Sequence, residues 1–140
     1  MANNTYDPFR DIERMMSGTL RTPGSNAMPM DLFRKGDNFI ARIDLPGVKS
    51  DSIDIDIDER TLTVRAERPA ETDEDLKWLS RERPTGTFAR QLTLGYGMAV
   101  DRIEAEYADG ILTLTLPVSE ESKPRKIQVS HKDQSSVIEQ

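Results

Sequence analysis

Ile103-Glu104-Ala105-Glu106-Tyr107-Ala108-Asp109-Gly110-Ile111-Leu112-Thr113-Leu114-Thr115-Leu116 alternates apolar and polar residues on both sides of an Asp-Gly pair. A period of two places alternate side chains on opposite faces of a strand. Asp-Gly supplies the positive φ of a tight hairpin turn. The stretch therefore predicts a hairpin whose inward row begins Leu112, Leu114, Leu116.

The same period extends upstream. Phe39, Ala41, Ile43 and Leu45 alternate with Ile40, Arg42 and Asp44, ending at Pro46-Gly47. Ile53, Ile55 and Ile57 alternate with Asp54, Asp56 and Asp58, and Leu62 and Val64 with threonine and arginine. Phe88 and Leu92-Thr93-Leu94 suggest a further strand. Six or seven short strands with frequent turn residues and no long helical pattern predict an all-β sandwich over residues 29–118.

Two flanks differ from this centre. In residues 1–28, Asp7-Pro8 offers an N-cap followed by proline at the first helical position. Phe9, Ile12 and Met16, with Met15 beside them, then fall on one helical face, and Gly18 is a plausible stop. So short a helix is unstable alone in water, and no local core is evident to cover its apolar face. Thr22 to Asn26 is linker chemistry. Residues 119–140 are polar, with Lys123-Pro124-Arg125-Lys126 before an isolated apolar pair, Ile127 and Val129. An extended tail is expected there, with one more edge strand as the alternative.

At 140 residues the chain holds one ordinary domain with tails. It contains no cysteine, which excludes disulfides, thiolate nucleophiles and cysteine-ligated metals. A net charge of −6 argues against sequence-independent nucleic-acid binding and against attraction to anionic lipid. No apolar run is long enough to span a membrane, and the first ten residues lack the pattern of a signal peptide. A cytoplasmic protein is expected.

Candidate chemistry is sparse. The single histidine, His131, lies in the polar tail, so neither a histidine-based triad nor a histidine metal site has much to work with. Gly95-Tyr96-Gly97 reads as a loop, and no Walker phosphate-binding loop occurs. Asp54, Asp56 and Asp58 begin like a calcium loop. Glu59 and Arg65, however, stand where that loop needs its turn glycine and its bidentate glutamate. Carboxylates suffice in number for a two-acid hydrolase, but aromatic platforms do not, Trp78 being the one tryptophan. No enzyme, metal or cofactor is expected.

Ala105-Glu106-Tyr107-Ala108-Asp109-Gly110-Ile111-Leu112 resembles the A-x-x-x-n-G-v-L signature of small heat-shock proteins, with Ala105, Gly110 and Leu112 at its fixed positions. Glu82-Arg83-Pro84-Thr85-Gly86-Thr87-Phe88-Ala89-Arg90 is similar to that family's E-R-x-x-G-x-F-x-R run. Where the family continues with Leu-Pro, this chain has Leu94-Gly95, a departure read as touching only a strand end. Ile127-Gln128-Val129 resembles the I-x-I tail anchor, and Asp7-Pro8-Phe9 the N-terminal arm of bacterial members.

The resemblance implies an all-β, immunoglobulin-like β-sandwich (the α-crystallin domain) with a short helical N-terminal arm and an extended C-terminal tail. It implies an ATP-independent holdase for unfolding client proteins, assembled as homodimers and higher homo-oligomers, with ATP-dependent chaperones for release. Dimers would form by strand exchange, the segment near Asp75 to Glu82 reaching a partner edge strand near Met30 to Arg34. Trp78 and Leu79 would be interface anchors and Arg90 a salt-bridging residue near them. Ile127 and Val129 would dock in an apolar groove on a neighbouring dimer, and Phe9, Ile12, Met15 and Met16 would meet clients. Two rivals are a monomeric, co-chaperone-like β-sandwich module for a dedicated partner and a carboxylate hydrolase.

Overall fold

The computed structural model describes residues 7–17 and 28–132. One helix, α1 (Arg10–Ser17), precedes seven strands. These are β1 (Met30–Lys35), β2 (Asn38–Asp44), β3 (Asp54–Asp58), β4 (Thr61–Arg68), β5 (Gly86–Thr93), β6 (Glu104–Ala108) and β7 (Ile111–Pro117). They form two antiparallel sheets, ordered β1-β2-β7-β6 and β3-β4-β5.

The β6–β7 hairpin turns on Asp109 (φ 55°) and Gly110 (φ 77°), with Ala108 opposite Ile111. Both central residues are left-handed, as a two-residue turn matching strand twist requires. Gly110 has a second constraint. A Cβ there would lie 3.3 Å from Pro46 Cα, and the Gly110 carbonyl accepts a 2.8 Å hydrogen bond from Leu45 N. The same region is pinned by Tyr107, whose hydroxyl donates to the Leu45 carbonyl at 2.6 Å.

Strand alternation translates directly into the core. Phe39, Ala41, Ile43 and Leu45 from one sheet, with Leu112, Leu114 and Leu116, face Leu62, Val64, Ala66, Leu92 and Leu94 from the other, and all are buried. The central strands β2, β7 and β4 carry most of these residues, since only they are flanked on both sides. Four strands are sheet edges: β1, β6, β3 and β5.

Helix α1 begins as expected. Asp7 Oδ1 accepts a 3.0 Å hydrogen bond from Phe9 N, and Arg10 N donates to the Asp7 carbonyl at 3.2 Å. The expected stop at Gly18 and the linker Thr22 to Asn26 lie outside the described residues. One expectation is corrected: the helix does have a core to cover its apolar face. Phe9, Ile12 and Met16 are buried and join the same hydrophobic cluster as the sandwich interior. An eight-residue helix gains its stability from such packing rather than from propensity.

Candidate interaction surfaces

Helix α1 reaches both β1 and the end of β5, so those two edges share one margin of the sandwich. In two stacked sheets that leaves edges β6 and β3 for the other. At the first margin Met16, Leu32, Phe33 and Phe39 line one concavity beside α1. Ile12 sits over the turn after β5 so closely that a Cβ at Gly95 would come within 2.7 Å of Ile12 Cγ2 and 2.9 Å of Ile12 Cα. Gly95 is therefore a seat for the helix backbone. The departure from Leu-Pro reaches well beyond a strand end, because any side chain at 95 would displace α1.

Arg34, on β1, ties the helix from the other side. Its Nη1 donates to Asp7 Oδ1 at 2.8 Å and Oδ2 at 3.0 Å and lies 2.9 Å from Glu13 Oε1. The guanidinium also stands 5.4 Å from the Phe9 ring centroid. Hydrogen bonding from Arg34, then from the Phe9 amide, holds the Asp7 carboxyl below its ordinary range, and the same pairing raises Arg34. These groups are solvated, so the cluster fixes position more than it adds stability. Burial of Phe9, Ile12 and Met16 supplies the energy, at most about 1.5–3 kcal/mol each. Met15 is half-buried and stands outside this seat.

The opposite margin has no such cover among the described residues. Ile53, Ile55, Ile103 and Tyr107 are only half-buried against the core, and Ile57 is exposed. Ala105 pairs with Leu114, which puts it on the core-facing row, yet it is exposed because β6 is an edge. Asp54, Asp56 and Asp58 point to solvent on β3, with Asp56 Oδ2 3.3 Å from Arg65 Nη1. Such charges discourage indiscriminate edge pairing. Among the described residues no group of three or more His, Asp or Glu is arranged to hold a metal ion.

Between β4 and β5 runs a polar, exposed loop that forms no strand. Its base is fastened by Arg68, whose Nε donates to the Pro46 carbonyl at 2.7 Å and Nη1 to the Pro84 carbonyl at 3.1 Å. Trp78 is 51% exposed, with the Arg81 guanidinium 4.6 Å over its ring, and Leu79 is 99% exposed. Within one chain these apolar side chains have little to pack on.

Arg90 lies buried on the inward row of β5 between Phe88 and Leu92. Its Nη1 donates to the Met28 carbonyl at 2.9 Å, its Nε has no hydrogen-bond partner, and burial lowers its pKa. The resemblance implied a salt bridge for Arg90; within one chain its hydrogen bond goes to a carbonyl. In the tail, Lys123 Nζ pairs with Glu120 Oε1 at 2.8 Å and approaches Asp37 Oδ2 at 3.8 Å. Beyond it the chain makes no further strand through residue 132, and Ile127 and Val129 are 83% and 93% exposed.

Gly95-Tyr96-Gly97 is the loop the sequence predicts. Arg60 Nη1 donates to the Gly95 carbonyl at 2.9 Å while its guanidinium stacks 4.2 Å over the exposed Tyr96 ring. Sequence reading passed over Arg34 and undervalued Gly95. A glycine in place of a residue with a side chain, near an uncovered apolar helix, was the available signal for the second. Arg34 had none.

A double-sheet sandwich with apolar residues displayed on a loop and a tail is the anatomy of an interaction protein. The profile of the Hsp20/alpha crystallin family matches residues 31–130. The chain is 48% identical over 131 residues to the 18 kDa antigen 2 of Mycobacterium avium, covering 94% of both chains. It is 42% identical to the 18 kDa heat shock protein of Streptomyces albus G, covering 88% of this chain and 89% of that one. A small heat-shock protein from Xylella fastidiosa superposes with a TM-score of 0.62 at 28% identity, over 74% of this chain and 96% of that one. Heat shock protein 16.0 of Schizosaccharomyces pombe does so at 0.60 and 32%, over 75% and 97%.

The chain therefore belongs to the Hsp20/alpha crystallin family of small heat-shock proteins. Members of that family are ATP-independent chaperones, not enzymes; they form oligomers and bind client proteins.

Proposed function

We propose that this chain is an ATP-independent holdase that captures unfolding proteins and works in the cytoplasm from a dynamic oligomer of dimers. One observation carries the reading: large apolar side chains stand bare on a loop and a tail that the chain's own sandwich does not cover, while four strand edges lack a partner. Trp78 and Leu79 anchor the dimer, with the loop of one subunit pairing on the free edge of β1 in the other. Arg90, buried beside that edge with Nε unpaired, takes its second acceptor from the partner.

Ile127 and Val129 anchor the oligomer against the half-buried Ile53, Ile55 and Ile103 beside the β3 and β6 edges of a neighbouring dimer. Two such side chains gain about 1.5–3 kcal/mol each before association costs. One link is weak; many in a single assembly give avidity while each stays breakable. Subunits can then leave and rejoin. Clients meet the apolar face of the arm, Phe9, Ile12, Met15 and Met16, once it is uncovered, and methionine there suits contact with varied sequences. The acidic surface keeps the complexes soluble, and release passes to ATP-dependent chaperones.

Light scattering from a heat-labile protein warmed with and without the chain, in the absence of ATP, tests this. Suppressed scattering near stoichiometric ratios is expected. Undiminished aggregation across the temperature range overturns the holdase reading.

A further inference from the structure

We propose that Arg68, Arg83 and the Gly47 turn form a binding site for a small tetrahedral oxyanion such as inorganic phosphate, at the base of the β4–β5 loop. The inference goes beyond the holdase reading and does not depend on it. Gly47, Arg68 and Arg83 line one open concavity together with Pro46, Pro84 and Asp44. Arg68 is 7% exposed, so the fold itself buries a cation there. Its Nε and Nη1 donate to the Pro46 and Pro84 carbonyls, and its guanidinium stands 5.2 Å over the Phe88 ring. Those contacts fix the fork in place and use two of a guanidinium's five N–H donors, yet none of them carries a full negative charge. Among the described residues neither Arg68 nor Arg83 forms an ion pair, and Arg83 donates no hydrogen bond.

The two cations are brought to one point. A Cβ at Gly47 would lie 3.5 Å from Arg83 Nη2 and 3.8 Å from Arg68 Nε. Gly47 has φ 75°, a conformation that side chains rarely adopt, so the backbone keeps that point open. Two like charges converging on a partly desolvated recess repel each other unless an anion lies between them. A tetrahedral oxyanion suits the arrangement, because it accepts from two guanidinium forks that approach from different directions. Asp44 stands on the same rim and pairs with neither arginine. Its charge leaves room for one compact anion and repels an extended one, in line with the net charge of −6. The ligand class is therefore the free ion rather than a nucleic-acid backbone. Arg68 ends β4 and Arg83 precedes β5, so a shared anion ties together the two ends of the loop that carries Trp78 and Leu79.

The test titrates the full chain with sodium phosphate, at an ionic strength held constant with sodium chloride, by isothermal calorimetry and by broadening of the phosphate line in phosphorus NMR. Saturable binding that sulfate competes away is expected. Arg83→Gln should weaken it about tenfold or more, the loss of one charged fork. Arg125→Gln removes the same charge from the exposed tail and should leave the affinity unchanged. Saturating phosphate should also slow amide exchange in residues 69–85 about threefold in the parent chain and not in Arg83→Gln, with β7 amides as the internal reference. Arg83 is exposed, so its substitution leaves the sandwich intact, which unchanged β7 exchange verifies. Binding that does not saturate, equal weakening by both substitutions, or full affinity in Arg83→Gln overturns the site. Unchanged loop exchange at saturation overturns the tie across the loop.

Discussion

The two margins of this sandwich present the same physical problem and meet it differently. Where two sheets stack, the flank of the core opens to water at each end of the strand order. On the β1–β5 side the chain closes it with its own helix, burying Phe9, Ile12 and Met16. On the β3–β6 side Ile53, Ile55, Ile103 and Tyr107 remain half-buried and Ile57 exposed. The difference teaches where the apolar tail of a neighbouring subunit is to be sought, the backbone edge of β1 staying free for strand pairing. A covered margin is available only after a local opening, whereas an open one can receive a partner directly.

The sharpest way to break this contrast is at the tail. Replacing Ile127 and Val129 together with alanine should collapse large assemblies to dimers, read as mass by light scattering or native mass spectrometry. Retention of full size would remove the open margin's occupant. Next comes Trp78→Ser, which should weaken the dimer at least tenfold, in keeping with about 2 kcal/mol or more for a buried aromatic anchor. Concentration-dependent sedimentation measures it, and an unchanged dimer would make the loop a solvated bystander.

A matched pair sharpens the margins themselves. Met16→Ala should lower the stability of the chain to urea by about 2 kcal/mol, at the low end for buried truncation because the helix can lift away. Ile57→Ala, on the open side, should cost about 0.5 kcal/mol or less in the unassembled chain. Equal losses would mean the two margins are equally covered.

The smallest effect concerns acidity. Asp7 faces Arg34 and Arg10, with Glu13 also on Arg34, and its carboxyl lies below the ordinary 3.8. A depressed carboxyl contributes fully above its unfolded value and loses that contribution as pH falls through the folded one. Protection of α1 amides should therefore be flat from about pH 7 to 5 and decline only below about pH 4. Loosening near neutrality would show that Asp7 does not hold α1 to Arg34.

Much of this was legible in the residues. Strict alternation in Phe39 to Leu45 and Leu112 to Leu116 dictates which side chains face inward, because the strand period is two. Asp109-Gly110 dictates the hairpin. The arm was legible as a helix from Asp7 and the spacing of Phe9, Ile12 and Met16, but its destination was not. Amphipathicity says that a face must be buried and is silent about where. Arg90 shows the same limit. Its place in the row Phe88, Arg90, Leu92 implies an inward arginine, while the Met28 carbonyl that receives it is 62 residues away in sequence.

The sequence by itself determined six of the seven strands, the turns, the inward rows and, through its signature residues, the family to which the chain belongs; β1 was legible only through that family's pattern. These follow from local rules of period and backbone conformation, which neighbours along the chain decide. Only the tertiary structure decided that α1 closes one margin, that Gly95 is its seat and that Arg34 clasps it. Those contacts join segments distant in sequence, and the absence of a side chain at Gly95 acquires meaning only when another backbone arrives within 3 Å of where its Cβ would be.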